Sequence, residues 1–356
     1  MGYRPRAGAG GSSPDPTSGD PTLTDGATVL LVGAGAVGGR AARQLVETPG
    51  IARLLVASRD LERAERLSTV MAPHAEPLDW KPGRPLPGGL SAIACALRTG
   101  ADAAVAQAAI AAGIPIVSAG DDSVGLAGLE VLDGPARAAG VLVAAGAGLA
   151  PGLADVLARH ASDALEHVDE VGVARFGAGG EACVASSRRA RRERPAEVRD
   201  GLLVPTKRTG HELVWFPDPV GAQECQLVAP GVALLQHAFP DAQRVSVRMA
   251  EPEARSWWQW PRKADAESWG ALRVEVWGRR GRLREVLVYG VIERTAIAAG
   301  AVLGVTAAAL AGALPGLLLP EVGTHGLGEI VAARAFLAEL AGRGVKAAVF
   351  EGVPVA

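Results

Sequence analysis

The residues with the clearest chemical potential are Gly33, Ala34, Gly35, Ala36, Val37 and Gly38. A short apolar run, Thr28 to Val32, leads into them, and a helix-compatible segment, Gly39 to Val46, follows. Strand, tight turn and helix in this order are the context that a dinucleotide-binding glycine fingerprint requires. Gly33 suits the tight turn. Gly35, lacking a Cβ, lets a pyrophosphate approach the backbone, and Gly38 lets helix and strand pack closely. The amide N–H groups of the helix start would hold the phosphates. The alternative reading of the same residues is a glycine-rich structural turn.

The next strand bears on which dinucleotide is held. Ala52 to Ala57 reads as a buried parallel strand, ending at Ser58-Arg59-Asp60. An NAD site places an acidic residue at that point for the ribose 2′-OH. Here Ser58 stands there with Arg59 beside it. A hydroxyl and a guanidinium suit a 2′-phosphate, which favours NADP over NAD as the cofactor. Otherwise Arg59 is a surface arginine. Asp60, two places later, is still within reach of the ribose but is better placed to cap a helix over Leu61–Leu67.

Hydride chemistry also needs an acid or base near the substrate nitrogen. Asp121 and Asp122 follow the carboxyl end of a strand, Ile114 to Ala119, and are the first candidates. Their other reading is a helix N-cap with a solvated neighbour. Arg98, after the strand Ser91–Leu97, is a candidate clamp for a substrate carboxylate, or else a surface residue or phosphate contact. Ala96 and Leu97 close the same strand and are assigned to the cofactor site. Asp155 and His160 lie on the helix after Pro151-Gly152, where His160 reads as a helix-surface histidine. The arginines 188, 189, 191, 192 and 194 read as a polar loop, solvated or receptive to an anion. Trp257, Trp258 and Trp260 suggest a pocket lining, a dimer contact or an apolar lid. The six histidines show no metal-ligand spacing, and no G-x-S-x-G motif is present.

The elements that must position these residues alternate strand and helix. Helices over Asp102–Ala112 and Leu126–Ala139 precede the strands at 114–119 and 141–145, respectively. The glycine-rich loop Gly146-Ala147-Gly148-Leu149-Ala150-Pro151-Gly152-Leu153 comes next. This rhythm predicts an α/β fold, a Rossmann-type doubly wound parallel sheet. After Leu153 the pattern changes. Strands over 168–175, 212–216, 244–249, 271–277 and 283–292 predict a second α+β domain on a mostly antiparallel sheet. The last pair flanks a hairpin signal at 278–282. Helices over 295–314 and 327–343 and a short strand at 346–350 close the chain. The expected division is a disordered tail over 1–26, a nucleotide domain over 27–152, a substrate or dimerisation domain over 153–293, and a C-terminal segment, 294–356, packing back on the first domain.

Composition narrows the class. The chain has 356 residues, 49% apolar and 21% charged, as in an ordinary soluble globular protein. A net charge of −2 gives no reason to expect nucleic acid or an anionic membrane as partner. Cys95, Cys183 and Cys225 are too scattered for a disulfide framework or a zinc site and fit a reducing cytoplasm. Thr295 to Pro320 is free of charge and long enough to span a bilayer, yet its Ala-Gly-Leu content and Pro315 favour a buried helix over stable membrane insertion.

Three stretches carry a family resemblance: Gly33 to Gly38, the turn Ala57-Ser58-Arg59-Asp60-Leu61-Glu62-Arg63-Ala64, and the loop Gly146 to Leu153. Together they resemble the saccharopine dehydrogenase-like oxidoreductases, a group that includes saccharopine reductases, lysine 6-dehydrogenase and carboxynorspermidine dehydrogenase. Residues 212–221 look like actinobacterial-type members of that group. The resemblance implies NAD(P)-dependent oxidation or reduction at a C–N bond of an amino acid or imine. Leu97-Arg98-Thr99 and Ser118-Ala119-Gly120-Asp121-Asp122 depart from the family pattern, so the substrate does not carry over. The resulting expectation is a cytoplasmic, homodimeric, NADP-dependent oxidoreductase acting on a small amino acid, imine or related acid. The alternatives are a non-catalytic dinucleotide sensor or scaffold, and a membrane-surface carbonyl or enoyl reductase.

Overall fold

Short apolar segments alternate with amphipathic or alanine-rich ones along the first half of the chain, and each becomes a strand or a helix. The computed structural model describes residue 1 and residues 26–98, 100–207, 211–250 and 269–350. The tail, Thr99 and the tryptophans at 257, 258 and 260 lie outside the described residues. The first half folds as β1 (Ala27–Val32), α1 (Ala36–Val46), β2 (Ile51–Ala57), α2 (Leu61–Val70), β3 (Ala75–Leu78), β4 (Ala92–Cys95), α3 (Asp102–Ala111), β5 (Ile116–Ser118), α4 (Ser123–Glu130), α5 (Asp133–Ala139) and β6 (Leu142–Ala145). The strands pair in parallel in the order β3-β2-β1-β4-β5-β6. The order reverses between β1 and β4, which opens a crevice at their carboxyl ends.

Alternation along β1 divides the core. Leu30 and Val32 pack with Val105, Ala106 and Ala109 of α3. Val29 and Leu31 pack with Ala41, Ala42 and Leu45 of α1. The helix expected over 126–139 is instead two, α4 and α5, broken at Val131-Leu132. Pro135 has no N–H to donate, so it fits the first turn of a new helix but not the interior of a long one.

The second half contains α6 (Leu153–Ser162), β7 (His167–Phe176), α7 (Glu181–Ala190), β8 (Ala196–Arg199), β9 (Leu202–Pro205), β10 (Glu212–Trp215), β11 (Ala222–Val228), α8 (Val232–Ala238), β12 (Arg244–Ala250), β13 (Trp269–Arg280) and β14 (Leu283–Arg294). The chain then runs through α9 (Thr295–Leu310), β15 (Gly323–Gly326), α10 (Leu327–Ile330), α11 (Ala333–Gly342) and β16 (Ala347–Phe350). Their sheet has the order β10-β11-β12-β7-β13-β14-β16, with β8 paired to β12 and β9 paired to β8. All its pairs are antiparallel except β12 with β7. The β13–β14 strands run further than the hydrophobic pattern suggests, leaving only Gly281-Arg282 in the turn. Part of the arginine run, read as loop, is helical: Arg188 and Arg189 close α7.

The C-terminal segment joins the two sheets. β15 adds to the first sheet beside β6, and β16 adds to the second beside β14. The uncharged helix α9 is buried along nearly all of its length. Gly300 and Gly304 bring its backbone against Val37, Arg40, Ala41 and Gln44 of α1. No helix among the described residues is long and apolar enough to cross a membrane.

Candidate active site

The fingerprint glycines separate by function when a Cβ is placed on each. Gly33 has φ of +119°, which a side chain rarely tolerates. Its Cβ would also lie 2.3 Å from the Ala96 carbonyl oxygen. At Gly38 a Cβ would meet the Gly33 carbonyl oxygen at 1.8 Å, so this glycine lets α1 start directly against the turn. Gly35 is different: nothing lies within 4 Å of its Cβ position, and its φ of −87° is unstrained. The space over Gly35 is open. α1 begins there with no side-chain cap and no acidic residue in its first turn. Its first N–H groups have no partner within the helix, and its dipole favours an anion. A pyrophosphate fits that donor set and that space.

Ser58 and Arg59 follow β2 on the same side of the sheet. Arg59 is exposed and has no ion-pair partner among the described residues. Asp60 occupies the N-cap position of α2, but its carboxylate makes no capping hydrogen bond. It pairs instead with Arg63 at 3.3 Å, because the side chain one turn along competes for it. Ala96 and Leu97, at the end of β4, border the crevice from the other side. The Ala96 N–H donates to the Val32 carbonyl.

The two adjacent aspartates take different roles. Asp122 is buried, and its carboxylate accepts the Gly125 N–H at 3.1 Å as the N-cap of α4. Asp121 points the other way, across the crevice, and accepts from the Arg175 guanidinium at 3.1 Å. Arg175 ends β7 in the second sheet and is almost fully buried. Its other terminal nitrogen lies 4.0 Å from the Met249 Sδ. Cys183 of α7 sits close enough to feel both charges, and burial pushes its thiol up to about 11. Arg98 stands exposed at the mouth, 3.7 Å from Glu181 at the start of α7. The adjoining Gly180, at φ of +110°, brings that helix start close to Ala36, with a Cβ position 3.0 Å from the Ala36 Cβ. The second domain thus reaches over the fingerprint turn.

A third carboxyl, Asp102 at the start of α3, lies behind Asp121 and Asp122 and is 1% exposed. The strand-and-helix pattern locates it as a helix start, and a carboxyl beside a strand end is the signal that marks it for the site. Arg175 carries no local signal, since its partner is 54 positions away in sequence. Of the remaining candidates, Asp155 is buried under the 146–153 loop, where it accepts the Gly152 N–H. His160 faces Tyr289 edge-on, packed between elements instead of on a helix surface. Among the described residues no group of three or more His, Cys, Asp or Glu is arranged to hold a metal ion.

With this geometry the chain compares closely with one solved structure, the L-Glu-forming saccharopine dehydrogenase of Saccharomyces cerevisiae. The match has a TM-score of 0.65 at 14% identity and covers 91% of this chain and 100% of that one. The chain has the saccharopine dehydrogenase fold. Weaker likenesses include the C. glutamicum DAP dehydrogenase in complex with DAP, with TM-score 0.47, 14% identity and coverage of 90% and 99%. A 3-ketoreductase from Actinomadura kijaniata in complex with NADP gives TM-score 0.44, 15% identity and coverage of 81% and 90%. A shikimate / quinate 5-dehydrogenase family profile matches residues 21–80, the part of the fold running from β1 to β3. No curated protein matches the chain.

Proposed function

We propose that this protein is an NADP-dependent oxidoreductase that transfers a hydride at a C–N bond of an amino acid, imine or related small acid. The open cradle over Gly35, at an uncapped helix start with no acid in its first turn, carries this reading. When bound, the nicotinamide cofactor supplies the hydride chemistry. The backbone of Gly33 to Gly38 holds the pyrophosphate. Ser58 and Arg59 hold the ribose 2′-phosphate, a bidentate partner for a guanidinium with no competing carboxylate. Asp121 is the group that holds or moves a proton at the substrate nitrogen, and Arg175 keeps that carboxylate oriented into the crevice. Arg98 takes the substrate carboxylate at the mouth, in exchange for Glu181. Asp122 supports the site from behind by fixing the start of α4. The saccharopine dehydrogenase fold and the resemblance of the fingerprint, the 57–64 turn and the 146–153 loop to that family support C–N redox over other hydride chemistry.

Titration of the purified protein with NADPH and NADH, followed by cofactor fluorescence, tests the reading, with Arg59→Ala in parallel. The expected result is preferential NADPH binding, weakened at least tenfold in Arg59→Ala, on the order of a lost charge-assisted pair. NADH binding that ignores Arg59 would overturn the cofactor preference. If neither nucleotide binds, the oxidoreductase reading falls.

A further inference from the structure

Asp102 is the buried charge that the proposed chemistry leaves unused. It opens α3 where the chain leaves β4, and its carboxyl lies against Gly120 and Ser118 at the end of β5. A Cβ on Gly120 would stand 3.2 Å from both Asp102 Oδ2 and Ser118 Oγ. Neither carboxyl oxygen has a hydrogen-bond partner among the described residues. The Ser118 hydroxyl, which accepts the Gly120 N–H at 3.0 Å, can still turn its proton toward Asp102. The charged and titratable groups that face Asp102 are Asp121 and Asp122 after β5 and the Cys95 thiol on β4. None of them is a cation. A buried carboxylate without a cation is costly unless something positive comes to it.

The fold says what arrives. The adenosine side of the dinucleotide is assigned to the ends of β1 and β2 by Gly35, Ser58 and Arg59. The other mononucleotide half of a doubly wound sheet, β4 to β6, then receives the nicotinamide. That ring is cationic when oxidised and neutral when reduced. We infer that Asp102 is a positioning charge that reads the oxidation state of the cofactor: as a carboxylate it favours the oxidised nucleotide, and as a neutral acid it favours the reduced one. The inference rests on the dinucleotide reading above.

Burial, before any other cause, raises the Asp102 carboxyl to about 6, and the neighbouring aspartates add to the rise while Ser118 opposes it. Asp102 is therefore neutral below that pH and charged above it. The preference for NADP⁺ over NADPH increases as pH rises through the same range. The 2′-phosphate titrates nearby as well, but both cofactor forms carry it and it cancels in the ratio.

Isothermal titration calorimetry of the full chain with NADP⁺ and with NADPH, at pH 5 to 8, tests this without any turnover. In the wild type the ratio of the two affinities shifts about tenfold toward NADP⁺, the equivalent of one unit of coupled pKa. Asp102→Asn flattens that dependence. Ser118→Ala moves its midpoint to higher pH, because the hydroxyl that favours the ionised form is gone, and this variant serves if Asp102→Asn does not fold. A pH-independent ratio in the wild type, or a dependence retained in Asp102→Asn, overturns the inference and leaves cofactor binding standing. Absence of binding by both forms overturns the dinucleotide reading and this inference with it.

Discussion

Gly35 and Gly38 lie three residues apart and answer to different constraints. A methyl group at Gly38 collides with the Gly33 carbonyl oxygen, while one at Gly35 meets open space. Gly38→Ala is therefore expected to lower the thermal midpoint sharply. Gly35→Ala is expected to leave it within about 1 °C, an effect below about 1 kcal/mol for a chain of this size, yet to weaken NADPH binding at least about tenfold by filling the phosphate cradle. Equal effects of the two changes on stability would contradict this division. Asp155 offers a second test on single residues. Burial raises its carboxyl to about 7, against the Gly152 N–H that it accepts. Its unfolded value is near 4, so the folded chain holds the proton more tightly. Stability from this group is full below about pH 4 and is lost as pH rises toward 7. Asp102 adds a change of the same sign. Asp155→Asn cannot ionise and keeps an oxygen for Gly152. Its urea midpoint should fall less than that of the wild type between pH 5 and pH 8, and an identical fall would show that Asp155 does not titrate in that window.

Among the elements, α9 has the most to explain, since its sequence alone would also suit a bilayer. Its two glycines let it approach α1 so closely that a Cβ at Gly300 would lie 2.4 Å from the Arg40 Cβ and 2.9 Å from the Val37 carbonyl oxygen. This is small-residue packing between two helices, one of which presents the phosphate cradle. Gly300→Val should destabilise the chain by about 1–3 kcal/mol through overpacking. It should also weaken nucleotide binding, because α1 must shift to accommodate it. Urea unfolding and NADPH titration of the same variant measure both, and a variant of wild-type stability would show that the contact is loose.

The whole molecule is held together where its sheets meet. β15 and β16 tie the C-terminal segment into both sheets, and the Asp121–Arg175 pair crosses the crevice between them. Because the pair is not fully buried, removing one partner should destabilise by about 1–3 kcal/mol, less than a completely desolvated pair would. Asp121→Asn leaves Arg175 charged and almost buried without its carboxylate. The double variant Asp121→Asn/Arg175→Met removes both charges and should recover part of the loss. A double-mutant cycle in urea reads the coupling directly, and strict additivity would mean that the pair does not act across the crevice.

Much of this organisation was legible in the chain itself. The Gly33–Gly38 turn, strands β1, β2, β4, β5 and β6 of the first sheet and the β13–β14 hairpin depend on backbone freedom and on side-chain alternation over a few residues, and both are written locally, whereas β15 of that sheet left no such pattern. The pauses at Val131-Leu132 and Val331-Ala332 were less visible, because a short break in an apolar pattern costs little when tertiary packing compensates. What only the tertiary structure decided depends on groups far apart in sequence. Asp121 and Asp122 are chemically identical neighbours, and they differ because one meets Arg175 from the other sheet while the other turns back to cap α4. Asp102 becomes a buried charge only once β4 and β5 close around it. α9 is an interior helix and not a membrane one because α1, some 260 positions earlier, accepts its glycines. Local geometry is set by steric limits on each residue, whereas burial, charge and proximity are set by which distant segments pack together.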